Sequence, residues 1–290
     1  MSGYDLLARS LDACGRDGAT GGLRVSGAPG GVLHLRDGLV VAAESPGAPG
    51  PEALLLRSGR VDGEQWAALL REAGGARWPA AGLIAHGYAG AAELRVVCLM
   101  ALQDAAFAIT AGRVDGCERA DGCEPPSARV EPGETPARLL RDADRKRAAV
   151  AALPHPVHPD RERPRPAAHP PRPLTDLRRE LLAHADGRRT ARDLAFRTGR
   201  GVYTVTVEIA RMLADGLLEC PAAPATIVVH APPGPIRHRT PPPGPAAVPP
   251  APLGLPRRSP GASGITGSLP PPRQPPGWKG LFRLRGGTPG

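Results

Sequence analysis

The stretch that most constrains the fold lies between residues 174 and 230, where three helix patterns are followed by two short strand patterns. The first helix is expected over about Thr175–Ala185, with its leucines at helical spacing on one face. Thr190 stands three residues before Asp193, which is the spacing of a capping box and predicts the start of a second helix. A third helix is expected over Thr204–Ala214, with the threonine as its cap.

Two runs rich in β-forming residues follow the third helix, at Leu217–Cys220 and Thr226–Val229, and the segment between them predicts a hairpin. Three helices followed by a hairpin make up the winged helix-turn-helix plan, in which the third helix enters the major groove of DNA. A plain three-helix bundle without a recognition surface is the other interpretation. A fold is only a platform, so the exposed residues decide between these functions.

In the winged-helix interpretation, side chains of the third helix reach bases or phosphates, and arginines near the start of the second helix contact the DNA backbone. The first group is Arg200, Thr204 and Arg211, and the second group is Arg188, Arg189 and Arg192. Residues 174–220 carry 8 basic and 7 acidic residues, a net charge of +1, so their charge alone does not predict nucleic-acid binding. Glu208, on the expected exposed face of the third helix, opposes a simple electrostatic fit.

The net charge of +9 comes almost entirely from the end of the chain, because residues 221–290 carry 8 basic and no acidic residues. The proline-rich composition of residues 231–290 predicts a disordered tail. The last segment of this tail mixes apolar and basic side chains, a pattern typical of a docking peptide, although an ordinary disordered end explains it equally well. The residues of this segment are Trp278, Lys279, Leu281, Phe282, Arg283 and Arg285.

Residues 1–120 predict a mixed unit of helices and short strands. Asp37–Gly38 lies between two apolar runs and is a strong signal for a tight β-hairpin. Pro51 is suited to the first position of a helix, and Asp62 is expected to cap a further helix. Residues 90–106 predict the best helix of this half, and a second hairpin is expected over 107–114.

A resemblance to the PATAN domain of bacterial signalling proteins is carried by the first hairpin, GVLHLRDGLVVAAES, and by the helix that opens with PEALL. The residues that carry it are Gly31, Leu33, Leu35, Gly38, Val40, Ala42, Ala43, Glu52 and Ala53. The resemblance covers about residues 15–120 and implies a non-catalytic interaction domain of a kind often found beside helix-turn-helix units. Where the family often has an aromatic residue in the hairpin, this chain has leucine.

A charged helix is predicted from Thr135 to near Leu153, and its apolar face indicates packing on the first domain or on a second copy of itself. A solvated connecting helix is the third interpretation. The proline-rich segment 154–173 contains three histidines, which suggest either a metal site or a flexible spacer. Their proline neighbours favour the spacer.

The chain contains no familiar catalytic or phosphate-binding motif, and its five cysteines include no CxxC pair, so we expect no enzyme, metal or cofactor. His34 is expected to be an exposed residue of an alternating strand. The first residues lack the features of a signal peptide, and the longest apolar run, Val96–Ile109, is too short to span a membrane.

These observations predict an α+β protein of five segments. They are a PATAN-like domain at 1–120, a connecting loop and helix at 121–153, a Pro/Arg/His-rich linker at 154–173, a winged helix-turn-helix at 174–230 and a basic disordered tail at 231–290. We expect a cytoplasmic transcription regulator that binds double-stranded DNA and receives a signal from a protein partner through residues 1–120. The alternative is a non-catalytic signalling adaptor whose winged helix docks a protein. A homodimer through residues 136–153 is a further expectation.

Overall fold

The computed structural model describes residues 2–74, 76–120, 122–167 and 174–220, and within them the main sheet has four antiparallel strands in the order β3-β2-β1-β4. These strands are β1 (Gly21–Ala28), β2 (Gly31–Arg36), β3 (Leu39–Glu44) and β4 (Arg113–Ala120). The predicted α+β class is therefore confirmed. The predicted tail and its docking residues, at 278–285, lie outside the described residues.

The first hairpin forms where the sequence predicts it. Strands β2 and β3 pair up to Arg36 and Leu39, and the two residues between them, Asp37 and Gly38, have φ values of 51° and 76°. A two-residue hairpin of this type needs left-handed backbone at both positions, which Asp-Gly provides at low cost. A side chain at Gly38 would also meet the carbonyl oxygen of Gly15 at 2.6 Å.

Six helices accompany this sheet. They are α1 (Gly3–Arg16), α2 (Pro51–Arg57), α3 (Gly63–Glu72), α4 (Ala80–Ala85), α5 (Ala91–Ala111) and α6 (Pro136–Ala151). The predicted helix starts at Pro51, Asp62 and Thr135 are confirmed, and the Asp62 side chain accepts a hydrogen bond from the Gln65 amide. Of the three interpretations of α6, packing on the first domain is observed, because its apolar face is buried against α5.

The predicted second hairpin is wrong. Phe107–Thr110 is the end of α5, and the strand that follows, β4, pairs with β1. The error has a physical cause, since the residues from Asp104 to Thr110 are buried on every side of the helix. An apolar run without periodicity does not distinguish a buried helix from a strand. Helix α5 is long and apolar enough to cross a membrane. Its most apolar 18-residue stretch, however, is 61% buried inside the protein.

Three further helices form the C-terminal unit, α7 (Asp176–His184), α8 (Ala191–Thr198) and α9 (Val202–Ala214). The capping box of α8 between Thr190 and Asp193 is confirmed, and Gly199 ends the helix with a left-handed φ of 60°. Helix α9 begins at Val202 instead of Thr204, so Thr204 is an exposed residue within the helix and not its cap.

Within the described residues, the first strand predicted after α9 has a different partner from the one expected. Strand β6 (Leu218–Glu219) pairs antiparallel with β5 (Arg165–Pro166), which precedes the three helices. The second predicted strand, at 226–229, lies outside the described residues.

The segment 154–173 was interpreted as a flexible spacer. This interpretation is wrong for residues 154–167, which make ordered contacts. Val157 is buried, and the Nε2 atom of His158 lies 2.9 Å from the carbonyl oxygen of Ala111. The amide of Ala167 donates to the carbonyl of Leu217. These hydrogen bonds give backbone groups of this segment ordered partners. The polar, proline-rich composition of the segment did not predict them. Residues 168–173 lie outside the described part of the chain.

Residues 122–134 return along the sheet after β4. The amide of Val130 donates to the carbonyl of Val41 at 2.8 Å, and Val40 and Glu134 exchange both of their backbone hydrogen bonds. This segment explains why His34 is buried and not exposed as expected from strand alternation, since Cys123 lies against its ring.

Helix α5 belongs to both hydrophobic cores of the described residues. Its N-terminal half packs with the sheet and α1 to α4, through Leu94, Leu102 and other residues. Near its C-terminal end, Ala105, Phe107 and Ala108 belong to the core of the C-terminal helices. One helix thus ties the C-terminal unit to the N-terminal half.

Candidate nucleic-acid interface and helix junction

The arginines near the start of α8 make contacts within the protein. Arg192 forms an ion pair with Asp160, and the Nη1 atom of Arg189 donates to the carbonyl of His184 at 2.8 Å and pairs with Asp186 at 3.2 Å. Arg188 is exposed. A DNA phosphate would therefore have to compete with carboxylates for two of these three side chains.

The two arginines predicted for the third helix, Arg200 just before α9 and Arg211 within it, are also close to carboxylates. Arg200 lies 3.3 Å from the Glu180 carboxylate, which also accepts a hydrogen bond from Arg57 of α2 at 2.6 Å. Arg211 lies 3.5 Å from Glu208. Thr204, the remaining predicted contact, is exposed. The face predicted to meet DNA is thus nearly neutral at close range, which weakens its attraction for phosphates.

The N-terminal end of α9 is held by a carboxylate from α5. The Asp104 Oδ2 atom accepts a hydrogen bond from the Val202 amide at 2.6 Å, and its Oδ1 atom accepts one from the Tyr203 amide at 3.0 Å. The first amides of a helix have no acceptor within the helix. Asp104 therefore replaces the local cap that Thr204 was expected to provide, and it does so from 98 residues away in the sequence.

Aromatic and charged side chains surround this cap. The rings of Phe107 and Tyr203 pack edge to face with centroids 5.3 Å apart. Lys146 of α6 lies 5.6 Å from the centre of the Tyr203 ring and forms an ion pair with Asp142 at 2.8 Å. We call Asp104, Phe107, Asp142, Lys146 and Tyr203 the helix junction. The sequence showed Asp104 only as an interruption in an apolar run, which was the one available signal.

Burial raises the pKa of Asp104 to about 6 from its ordinary value of 3.8, while the amides of Tyr203 and Val202 and the charge of Lys146 act in the opposite direction. Desolvation of the charged form is the larger effect. Because the folded-state pKa lies above the unfolded-state value, the folded protein binds this proton more tightly. The resulting stabilisation is complete below the unfolded value and is lost as the pH rises through about 6.

We therefore predict that stability depends on pH through Asp104. As the pH falls from about 7.5 to about 5, the free energy of unfolding of the wild type should rise by about 1 kcal/mol relative to Asp104→Asn. Urea titrations of both proteins at each pH measure the difference. A constant difference across this range would contradict the burial of an ionised Asp104.

A second surface lies on the other half of α5. Val96 and Met100 are 54% and 53% exposed although both are large and apolar, and they stand four residues apart on one face of the helix. Val96 also borders an apolar groove of about 330 Å³ formed with Leu55 and Ala89. We call Val96, Met100 and this groove the α5 patch. Such exposed apolar clusters are typical of interaction sites.

No family model, curated protein or solved structure matches this chain. Among the described residues, no group of three or more His, Cys, Asp or Glu side chains is placed to hold a metal ion. The helix junction and the α5 patch are therefore the two candidate functional features of the described residues.

Proposed function

We propose that this protein is a non-catalytic signalling adaptor, with a PATAN-like N-terminal half and a winged helix-turn-helix unit in α7–α9 that serves protein contacts. The assignment of the unit is supported by the tight turn at Gly199 between α8 and α9 and by the strand that follows α9. The assignment of the N-terminal half depends on its central hairpin and the helix that follows it.

One observation carries the proposal: the start of the third helix is already occupied. In helix-turn-helix proteins, the N-terminal residues of this helix contact base edges. Here the Val202 and Tyr203 amides are bound to Asp104, and the Tyr203 ring packs on Phe107. If this end of α9 read DNA, the contacts of the helix junction would have to break. The winged-helix unit is therefore better suited to binding a protein than to binding DNA.

The expected partner is a protein that covers the α5 patch. Val96 and Met100 offer apolar area, and the ion pair between Arg60 and Glu93, 2.7 Å apart, lies at the rim of the groove. An apolar centre with a polar rim is the usual anatomy of a protein interface. The proposed location is the cytoplasm, in which the five free cysteines of the chain would stay reduced.

Affinity capture from nuclease-treated cell extract tests this proposal. The full-length wild type should retain a stoichiometric protein partner, and the double variant Val96→Glu with Met100→Glu should weaken capture by about tenfold or more, because two charges would be buried in an apolar interface. Ile84→Glu is the matched control, since Ile84 is a large apolar residue on α4 that is 46% exposed. Equal capture by the double variant and the control would contradict a partner at the α5 patch.

A DNA-binding transcription regulator is the second candidate, favoured by the open face of α9. Thr204 and Arg211 are both exposed and lie on that face, seven residues apart. Gel-shift titrations over a range of salt concentrations test it. Sequence-selective binding that is lost in Arg211→Ala would support this candidate, whereas no duplex binding even in low salt would remove it.

A further inference from the structure

A thiol, an imidazole and a carboxylate meet on the outer side of the sheet, away from the helix junction. The Sγ atom of Cys123 lies 3.8 Å from the Nδ1 atom of His34, and the Nε2 atom of His34 lies 3.3 Å from Glu44 Oε2. The three residues come from separate parts of the fold, namely β2, β3 and the segment after β4. His34 is buried, while the Glu44 side chain reaches solvent.

The carboxylate fixes the tautomer of the imidazole. An ionised Glu44 only accepts hydrogen bonds, so the proton of neutral His34 resides on Nε2. The lone pair of Nδ1 then faces the Cys123 thiol. This order of nucleophile, base and orienting acid is the arrangement that activates thiols in proteins.

The backbone beside the thiol provides the space that this arrangement needs. Gly22 of β1 lies under Cys123, and a side chain there would meet the Cys123 Cβ and Sγ atoms at 3.0 and 3.2 Å. Cys123 itself is partly exposed. A reagent can therefore reach the sulfur from solvent while the imidazole remains behind it.

The other thiols are less suited to reaction. Burial raises the pKa of Cys98 to about 11, and it also raises the pKa of Cys117 and of Cys220. Cys14 is buried in the core. Because the thiolate is the reactive form, these sites should react slowly.

We propose that Cys123 is a thiol–disulfide exchange site, at which His34 accepts the thiol proton and Cys123 attacks the disulfide of a low-molecular-weight thiol. The Cys123 sulfur forms a new bond to one sulfur of that disulfide, and the original sulfur–sulfur bond breaks. The leaving sulfur departs as a thiolate and takes the proton that His34 holds. Cys123 is thereby oxidised to a mixed disulfide and one equivalent of the small thiol is released in reduced form.

The reaction of the full-length protein with dithiodipyridine, a neutral disulfide that releases a coloured product, tests the proposal. Peptide mass spectrometry at early times should find Cys123 modified first. His34→Gln keeps a polar side chain but removes the base, and it should slow the reaction at Cys123 by about tenfold or more. The rate at Cys220, an exposed thiol at the end of the described residues, should not change and is the internal control for folding.

Gly22→Ala gives a second, independent variant that leaves the imidazole in place. Its methyl group should displace the thiol from His34 and slow Cys123 by at least about threefold. In urea, all five thiols should react alike in every variant. The proposal is overturned if native Cys123 reacts no faster than Cys220, or if its rate is unchanged in His34→Gln. Should His34→Gln fail to fold, an unchanged rate in Gly22→Ala overturns the proposal as well.

Discussion

Replacing Phe107 with alanine is expected to lower the free energy of unfolding by about 4 kcal/mol. Its side chain is 1% exposed and lies at the end of α5, among the core residues of the C-terminal helices and against the Tyr203 ring. The substitution removes both the buried apolar area and the aromatic contact. Urea unfolding followed by circular dichroism measures the loss.

The matched control is Phe196→Ala, which removes the same side chain from the surface of α8. Phe196 is 46% exposed, so we expect a change of less than about 1 kcal/mol. If Phe107→Ala were as mild as this control, α5 would not be a shared element of the two cores. The joining of the N-terminal half to α7–α9 would then have to depend on other contacts.

The second large effect is expected for Asp104→Ala, which should cost about 2 kcal/mol at neutral pH. The substitution leaves two buried amides, those of Val202 and Tyr203, without their acceptor. The loss is smaller than two full hydrogen bonds would imply, because alanine also removes a carboxylate that is costly to bury. Urea unfolding again provides the measurement.

Asp12→Ala is the control for removing an aspartate. Asp12 is an exposed residue of α1 that pairs with Arg16 one turn away, so its removal should change stability by less than about 0.5 kcal/mol. Stability of Asp104→Ala equal to that of the wild type would show that the cap contributes nothing. The helix junction would then be a contact without consequence for the position of α9.

The features predicted correctly from the sequence are local ones. The turn at Asp37–Gly38 and the caps at Asp62 and Thr190 are each determined by residues within three positions of one another. Their conformations follow from backbone sterics and from side-chain hydrogen bonds to nearby amides. Such signals remain visible whatever the rest of the chain does.

The features that were missed depend on distant partners. Asp104 and the start of α9 are 98 residues apart, and His34 and Cys123 are 89 residues apart. Pairing of β5 with β6 likewise joins segments on either side of three helices. No spacing rule connects such positions, so the cap, the buried histidine and the ordered part of the linker could not be anticipated.

The candidate site was predicted in part. The net charge of +1 over residues 174–220 already indicated weak attraction for DNA. Glu208 was expected on the exposed face of the third helix, but its side chain is mostly buried in an ion pair with Arg178 of α7 at 2.6 Å. The sequence could not show that Arg200 lies near Glu180 or that Arg192 pairs with Asp160. It is this pairing, together with the occupied start of α9, that shifts our preference from the DNA-binding regulator to the adaptor.

Backbone amide hydrogen exchange at Val202 and Tyr203 tests the central claim most directly, since it reports whether α5 holds the start of α9 in solution. The first amides of a helix usually exchange fast because they lack acceptors, and those of Asp176 and Leu177 at the start of α7 provide the comparison. We predict strong protection at Val202 and Tyr203 in the wild type and its loss in Asp104→Ala. Exchange in the wild type as fast as at the start of α7 would contradict the docked arrangement and leave the third helix free to read DNA.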